Sequence, residues 1–212
     1  MSPQGRPKGE FRSGQHEGIP MSIQHRVRVQ QVTTLSDDWY VLKKTRFDWL
    51  RRDGHWQTTN RETYDRGNGA TLLPYNLAQR SVLLIRQFRY PAFVNGHDDL
   101  LIETPAGLLD NSSPEERIRA EVEEETGYRL HEVRKVFQAF MSPGSVTEQL
   151  HFFVGAYDHA MRVDDGGGVA AEGEDIEVLE LGIDDAMAMV RDGRIKDGKT
   201  ILLLQHAVMA LF

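Results

Sequence analysis

One stretch constrains the rest of the chain: Ala106 to Tyr128, AGLLDNSSPEERIRAEVEEETGY. Its centre predicts a helix from Pro114 to Thr126. Ser113 is a natural N-cap, Pro114 suits the first helical position, and Glu116 stands where a capping box needs it. Gly127 supplies the stop, because glycine takes the left-handed conformation in which helices often end. Glu121, Glu124 and Glu125 lie inside this helix at i, i+3 and i+4, so the three carboxylates share one face. Each like-charged pair costs ~0.2–0.5 kcal/mol, and the C-terminal half of a helix is the wrong end for anions. A cluster that opposes its own helix invites a cation. Carboxylate oxygens are hard ligands, which points to Mg²⁺, with Mn²⁺ as a possible substitute. The plainer reading of such a helix is a solvated acidic face.

The remaining chain reads as β-rich, with helices after the strands. Residues 1–22 are Gly, Pro, Ser and charge without periodicity, and are expected to be a disordered tail. Residues 23–66 are expected to be an N-terminal β-sheet dimerisation domain, strand-like from Arg26 to Asp65: Val27, Val29 and Val32, then Trp39–Asp48, an Arg52-Asp53-Gly54 turn, and Trp56–Tyr64. Asp-Gly between β-rich runs marks a hairpin, so a small antiparallel sheet is predicted here. Residues 67–212 form the main domain. Thr71–Tyr75, Gln79–Phe88, Leu100–Thr104, Leu130–Ala139, Leu150–Tyr157 and Ile176–Leu181 read as strands. Ser81–Ile85 is a continuous apolar run, as expected of a strand buried on both faces. Met141–Glu148 reads as a loop and Gly166–Gly168 as a flexible connection. Ile183–Asp192 and Thr200–Phe212 read as helices.

Composition narrows the function classes. A net charge of −7 argues against general nucleic-acid binding. No apolar run is long enough for a membrane span. With no cysteine there is no thiol nucleophile or thiolate metal site, which fits a reducing cytoplasm.

The acidic helix and its flanks resemble the Nudix box, in which a glycine is followed at fixed spacing by a glutamate and by Arg-Glu-aliphatic-x-Glu-Glu-x-Gly. Gly107 matches the first glycine, and Glu121, Glu124, Glu125 and Gly127 match the end. One residue is missing between Asp110 and Ser113, so the early glutamate has no counterpart. Ala120 stands where the arginine belongs, and Tyr128 replaces an aliphatic residue. The likeness extends further. YDRGNGAT (Tyr64–Thr71), LIRQFR (Leu84–Arg89), AGLLDN (Ala106–Asn111), MSPGSVTE (Met141–Glu148), GGGV (Gly166–Val169), EDIEVLEL (Glu174–Leu181) and DGKTILLL (Asp197–Leu204) all look like the NudK-type GDP-mannose pyrophosphatases, relatives of the ADP-ribose pyrophosphatases.

That resemblance implies an α/β fold, an α/β/α sandwich around a mixed sheet, preceded by the small antiparallel β domain. It implies hydrolysis of GDP-mannose to GMP and mannose 1-phosphate, with ADP-ribose or another ADP-sugar as the rival substrate and a non-catalytic nucleotide-sugar sensor as the rival class. Carried over by position, Glu121, Glu125, Glu174 and the backbone carbonyl of Ala106 would hold the metal, with Glu124 beside them in the catalytic set. Glu172 is the first choice for the water-activating base and Glu148 the second. Arg89, Lys199, Glu125, Glu148 and the Ala106-Gly107-Leu108 turn would contact substrate. Arg61 and Glu62 would reach into a partner's site in a swapped homodimer, and Trp39 would stack on the base. Arg89 and Lys199 also read as ordinary surface charges, and Trp39 as a core residue. His97, His131, His151 and His206 show no ligand spacing.

Overall fold

Strand β4 (Gly69–Asn76) and strand β5 (Ser81–Gln87) are almost wholly buried, as their apolar runs require. They pair antiparallel only beside their connecting turn, at Tyr75–Val82 and Asn76–Ser81. Beyond that point β6 (Leu101–Glu103) pairs with β5 and β7 (Ala106–Leu108) pairs with β4. Thr104 and Pro105 bridge the two short strands, and the Pro105 carbonyl accepts the Leu72 N–H at 3.0 Å. This insertion carries Ala106 and Gly107 into the middle of the sheet. The computed structural model describes residues 22–109 and 112–212, apart from the side chain of Glu172. The expected tail therefore lies outside the described residues except for Ser22.

The main sheet runs β10-β5-β4-β9-β8, with β8 Arg134–Phe140, β9 Gln149–Ala156 and β10 Glu177–Gly182. It is mixed: β4 and β9 are parallel, whereas β10–β5 and β8–β9 are antiparallel. Helix α1 (Tyr90–Val94) follows β5, and α2 is Pro114–Thr126. One face of the sheet packs Ala70, Leu72, Leu83 and Phe153 against Ile118 and Val122 of α2. The other packs Leu73, Val82, Leu84, Phe152 and Val154 against α3 (Ile183–Arg191) and α4 (Gly198–Ala210). This is the expected α/β/α sandwich.

Strands β1 (Val27–Asp37), β2 (Val41–Leu50) and β3 (Trp56–Asp65) form the small three-stranded sheet. By contact density the chain falls into two units. One reaches to Val32 and includes Thr45–Asn60; the other comprises Thr33–Lys44 and Arg61–Phe212. Within the first, Arg26 lies 4.4 Å over the Trp49 ring and Arg28 lies 3.8 Å over Trp56. Thr58 donates to Asp48 at 2.6 Å. Val29 and Val32 are 61% and 54% exposed, so this sheet buries little of its apolar surface among the described residues.

Three differences from the sequence reading have local causes. Ala106–Leu108 looks like a loop but is a strand, because the splay between β4 and β5 leaves a hydrogen-bonding edge for it. β8 begins at Arg134, four residues later than expected, because Leu130 instead turns into the core beside α2. Helix α4 begins at Gly198, because the Asp197 carboxylate caps it by accepting the Thr200 N–H at 3.0 Å.

Candidate active site

Helix α2 forms as its sequence dictates. Ser113 Oγ accepts the Glu116 N–H, the Glu116 carboxylate accepts the Ser113 N–H, and Gly127 closes the helix at φ 77°. Two of its three aligned carboxylates are buried: Glu121 is 6% exposed and Glu125 1%. Glu124 is exposed at the rim. Gly107 lets the helix come this close to β7. A side chain there would begin 1.7 Å from Glu121 Oε1, so any larger residue would displace the Glu121 carboxylate from its present position. The neighbouring Ala106 N–H donates to Glu125 Oε2 at 3.2 Å.

Glu174 arrives through the triple glycine. The Gly167 and Gly168 N–H groups donate to the carbonyls of Glu125 and Glu124 at 3.0 and 3.1 Å. Those carbonyls are among the unsatisfied acceptors at a helix C-terminus. Gly166, Gly167 and Gly168 all have positive φ, which side-chain-bearing residues rarely adopt. The segment expected to be a flexible connection is therefore a hydrogen-bonded cap. It sets Val169 N–H to donate to Glu174 Oε2 at 2.8 Å.

The electrostatics of this cluster are unbalanced. Burial drives the Glu125 carboxyl well above the ordinary glutamate range. Glu121 and Glu174 push it further, and the Ala106 N–H and Arg89 only partly oppose them. A buried carboxylate that its neighbours discourage from ionising, and that a bound cation would relieve, fits a hard divalent ion with oxygen ligands. In the present conformation Arg117 holds Glu121, the Ala106 N–H holds Glu125 and the Val169 N–H holds Glu174. Among the described residues no three carboxylates or imidazoles converge at coordinating distance.

A second, balanced cluster adjoins it. Glu103, 2% exposed on β6, accepts Arg89 Nε at 2.7 Å and Nη2 at 3.3 Å, and also accepts Lys199 Nζ. Lys199 donates in addition to Asp197 at 3.0 Å. Burial opposes ionisation of Glu103, but Lys199 and Arg89 more than offset it and hold the carboxyl below its usual range. Burial likewise opposes the charge on Lys199, and Glu103 and Asp197 raise its pKa above the ordinary ammonium value. The sequence reading missed Glu103. The only signal was an acidic residue inside an otherwise apolar short strand.

The remaining candidates take distinct places. Glu148 lies 3.5 Å from Arg66 Nε. A Cβ on Gly69 would stand 3.7 Å from Glu148 Oε1 and 3.1 Å from the Gly107 carbonyl, so Glu148 flanks the end of β7. Its loop is tied to the end of β3: the Tyr64 N–H donates to Ser145 O at 2.8 Å, and the Thr147 N–H donates to Tyr64 O at 3.1 Å. Glu172 closes a short 3-10 turn, Ala170–Glu172, and its side chain lies outside the described residues. Arg61 and Glu62 are exposed. Trp39 is 82% exposed, which removes the core alternative for it, and it meets Tyr40 edge-on at 6.2 Å.

Residues 65–206 match the family model of the NUDIX domain, and residues 26–64 match that of the GDP-mannose pyrophosphatase NudK N-terminal domain. The chain belongs to the Nudix family. This Nudix protein is 57% identical over 176 residues to the GDP-mannose pyrophosphatase of Pectobacterium atrosepticum, covering 82% of this chain and 90% of the relative. It is 51% identical over 187 residues to that of Escherichia coli O1:K1, covering 85% and 97%. A crystal structure of an ADP compounds hydrolase shares the Nudix fold at a TM-score of 0.67 and 16% identity, covering 90% of this chain and 96% of that one.

Proposed function

We propose that this Nudix hydrolase cleaves the pyrophosphate bond of a nucleoside diphosphate sugar in the cytoplasm, with GDP-mannose giving GMP and mannose 1-phosphate. The observation that carries the chemistry is the Glu121–Glu125–Glu174 group, whose buried central carboxylate resists ionisation beside its neighbours. The substrate reading is supported by the relatives named as GDP-mannose pyrophosphatases over most of their length.

Ala106, Glu121, Glu125 and Glu174 would hold Mg²⁺, or Mn²⁺ in its place, with Glu124 at the rim. When bound, the ion supplies charge neutralisation on phosphate oxygens and acidifies a coordinated water. The chain does the rest. The Ala106-Gly107-Leu108 strand presents backbone polar groups beside Glu121 and Glu125. Arg89, whose planar fork suits phosphate, is held charged and oriented by Glu103. Lys199 shares that carboxylate and keeps its charge when buried. Glu148, which flanks β7, is one of the two candidates to take the proton from the attacking water. Glu172, two residues from Glu174, is the other and remains the first choice.

A homodimer is part of this reading. Its support is the apolar surface the single chain leaves uncovered: Val29, Val32 and Leu35 are each about half exposed. Trp39, Arg61 and Glu62 would then serve the partner's nucleotide. No helix among the described residues is long and apolar enough to cross a membrane.

The test is a panel of nucleoside diphosphate sugars with Mg²⁺, read by product identity. GDP-mannose is expected to turn over fastest, to GMP and mannose 1-phosphate. Faster turnover of ADP-ribose rejects the substrate assignment, and inertness toward the whole panel rejects hydrolysis.

A further inference from the structure

Helix α2 contains two i,i+4 ion pairs, and they differ in a way that helix physics alone does not explain. Glu115 pairs with Arg119 at 2.8 Å, with side chains 53% and 35% exposed. The acid precedes the base, which is the favourable order in a helix. Arg117 pairs with Glu121 in the reverse order, with side chains 27% and 8% exposed. This second pair is the poorer one for the helix, yet it is the more buried. Arg117 also makes a contact off the helix: Nε donates to the Leu108 carbonyl of β7 at 3.2 Å. One guanidinium thus joins the Glu121 carboxylate to the strand whose Gly107 makes room for that carboxylate. Ala120 stands where the Nudix box has its arginine, and a methyl group can do neither job.

We infer that Arg117 is a positioning residue for Glu121, acting from one turn before the alanine at position 120. It aims Glu121 at the end of β7 and fixes Leu108 relative to the helix. A carboxylate has two oxygens, so a guanidinium on one is compatible with a cation on the other. The planar fork is required, because Nε and a terminal nitrogen reach two different acceptors; an ammonium on a flexible stem does not hold both.

This inference rests on the metal-site reading above, and its test separates the two. Mg²⁺ binding to the full chain is measured by calorimetry for the wild type, R117Q, R117K and R117Q/A120R, with melting curves to establish folding. A cation that merely competes for Glu121 predicts that R117Q, having lost a like charge, binds Mg²⁺ more tightly. A positioning role predicts the opposite sign. R117Q and R117K are each expected to bind about tenfold more weakly, the usual cost of losing a group that orients a ligand. The Mg²⁺ concentration for half-maximal hydrolysis should rise in parallel. R117Q/A120R should recover affinity to within about threefold of wild type. Equal or tighter binding in folded R117Q overturns the inference, as does full affinity in R117K or no recovery in R117Q/A120R. If the wild type itself binds no Mg²⁺, the metal-site reading fails along with it.

Discussion

Two glutamates, Glu103 and Glu125, are almost equally buried, at 2% and 1% exposure, and their carboxyls move in opposite directions. Around Glu103 the chain supplies its own cations. Arg89 and Lys199 face Glu103 and Asp197, two positive charges against two negative, and the group is internally satisfied. Around Glu125 the chain supplies more anions, Glu121 and Glu174, which the Ala106 N–H and Arg89 oppose only in part, while Arg117 is paired with Glu121. Burial alone therefore does not say what a carboxylate is for. A matched set of partners marks a brace. A deficit of positive charge marks a place where the protein expects something from outside.

The largest test of that contrast is E125Q. Neutralising the central carboxylate of the deficient cluster, the proposed metal ligand, should cut turnover by about a thousandfold, roughly 4 kcal/mol at the barrier, while the fold persists. Near-normal kinetics in E125Q breaks the assignment. E103Q should show itself first in stability. It strands Arg89 and Lys199 without their shared anion, and breaking such a buried pair costs about 3 kcal/mol, a Tm fall of roughly 6–12 °C for a chain of this size. An unchanged melting temperature in E103Q removes the brace.

Stability against pH sharpens the comparison further. The raised Glu125 carboxyl contributes stability below the ordinary glutamate value of ~4.3, and that contribution is lost as pH rises through its higher folded value. The depressed Glu103 carboxyl contributes above ~4.3 and is lost as pH falls through its lower folded value. In metal-free protein, melting curves from pH 4.5 upward should thus show a decline that E125Q removes, at most ~1.4 kcal/mol per pH unit for one proton. Parallel curves for wild type and E125Q refute the raised carboxyl. The smallest effect is expected at the exposed Glu115–Arg119 pair, where E115A should cost about 0.3 kcal/mol in denaturant unfolding. A loss above ~1 kcal/mol there contradicts the distinction between exposed and buried pairs.

Much of this was legible in the order of residues. Helix α2 runs from Pro114 to Thr126 as its caps predict, since capping is a contact between residues three or four apart. The shared arc of Glu121, Glu124 and Glu125 follows from helical periodicity. The buried strands β4, β5 and β9 follow from their apolar runs. What the chain by itself determined is local: caps, periodicity, turn chemistry, and the crowding of like charge that calls for a cation. Tertiary structure decided which of those charges are answered. Only the insertion of β6 and β7 between splayed strands sets Glu103 between Arg89 and Lys199, which are far from each other in sequence. Only the fold turns three glycines from a loose connection into the cap that delivers Glu174. Electrostatic partnership depends on distance in space and on exclusion of water, and neither quantity exists until the sheet closes.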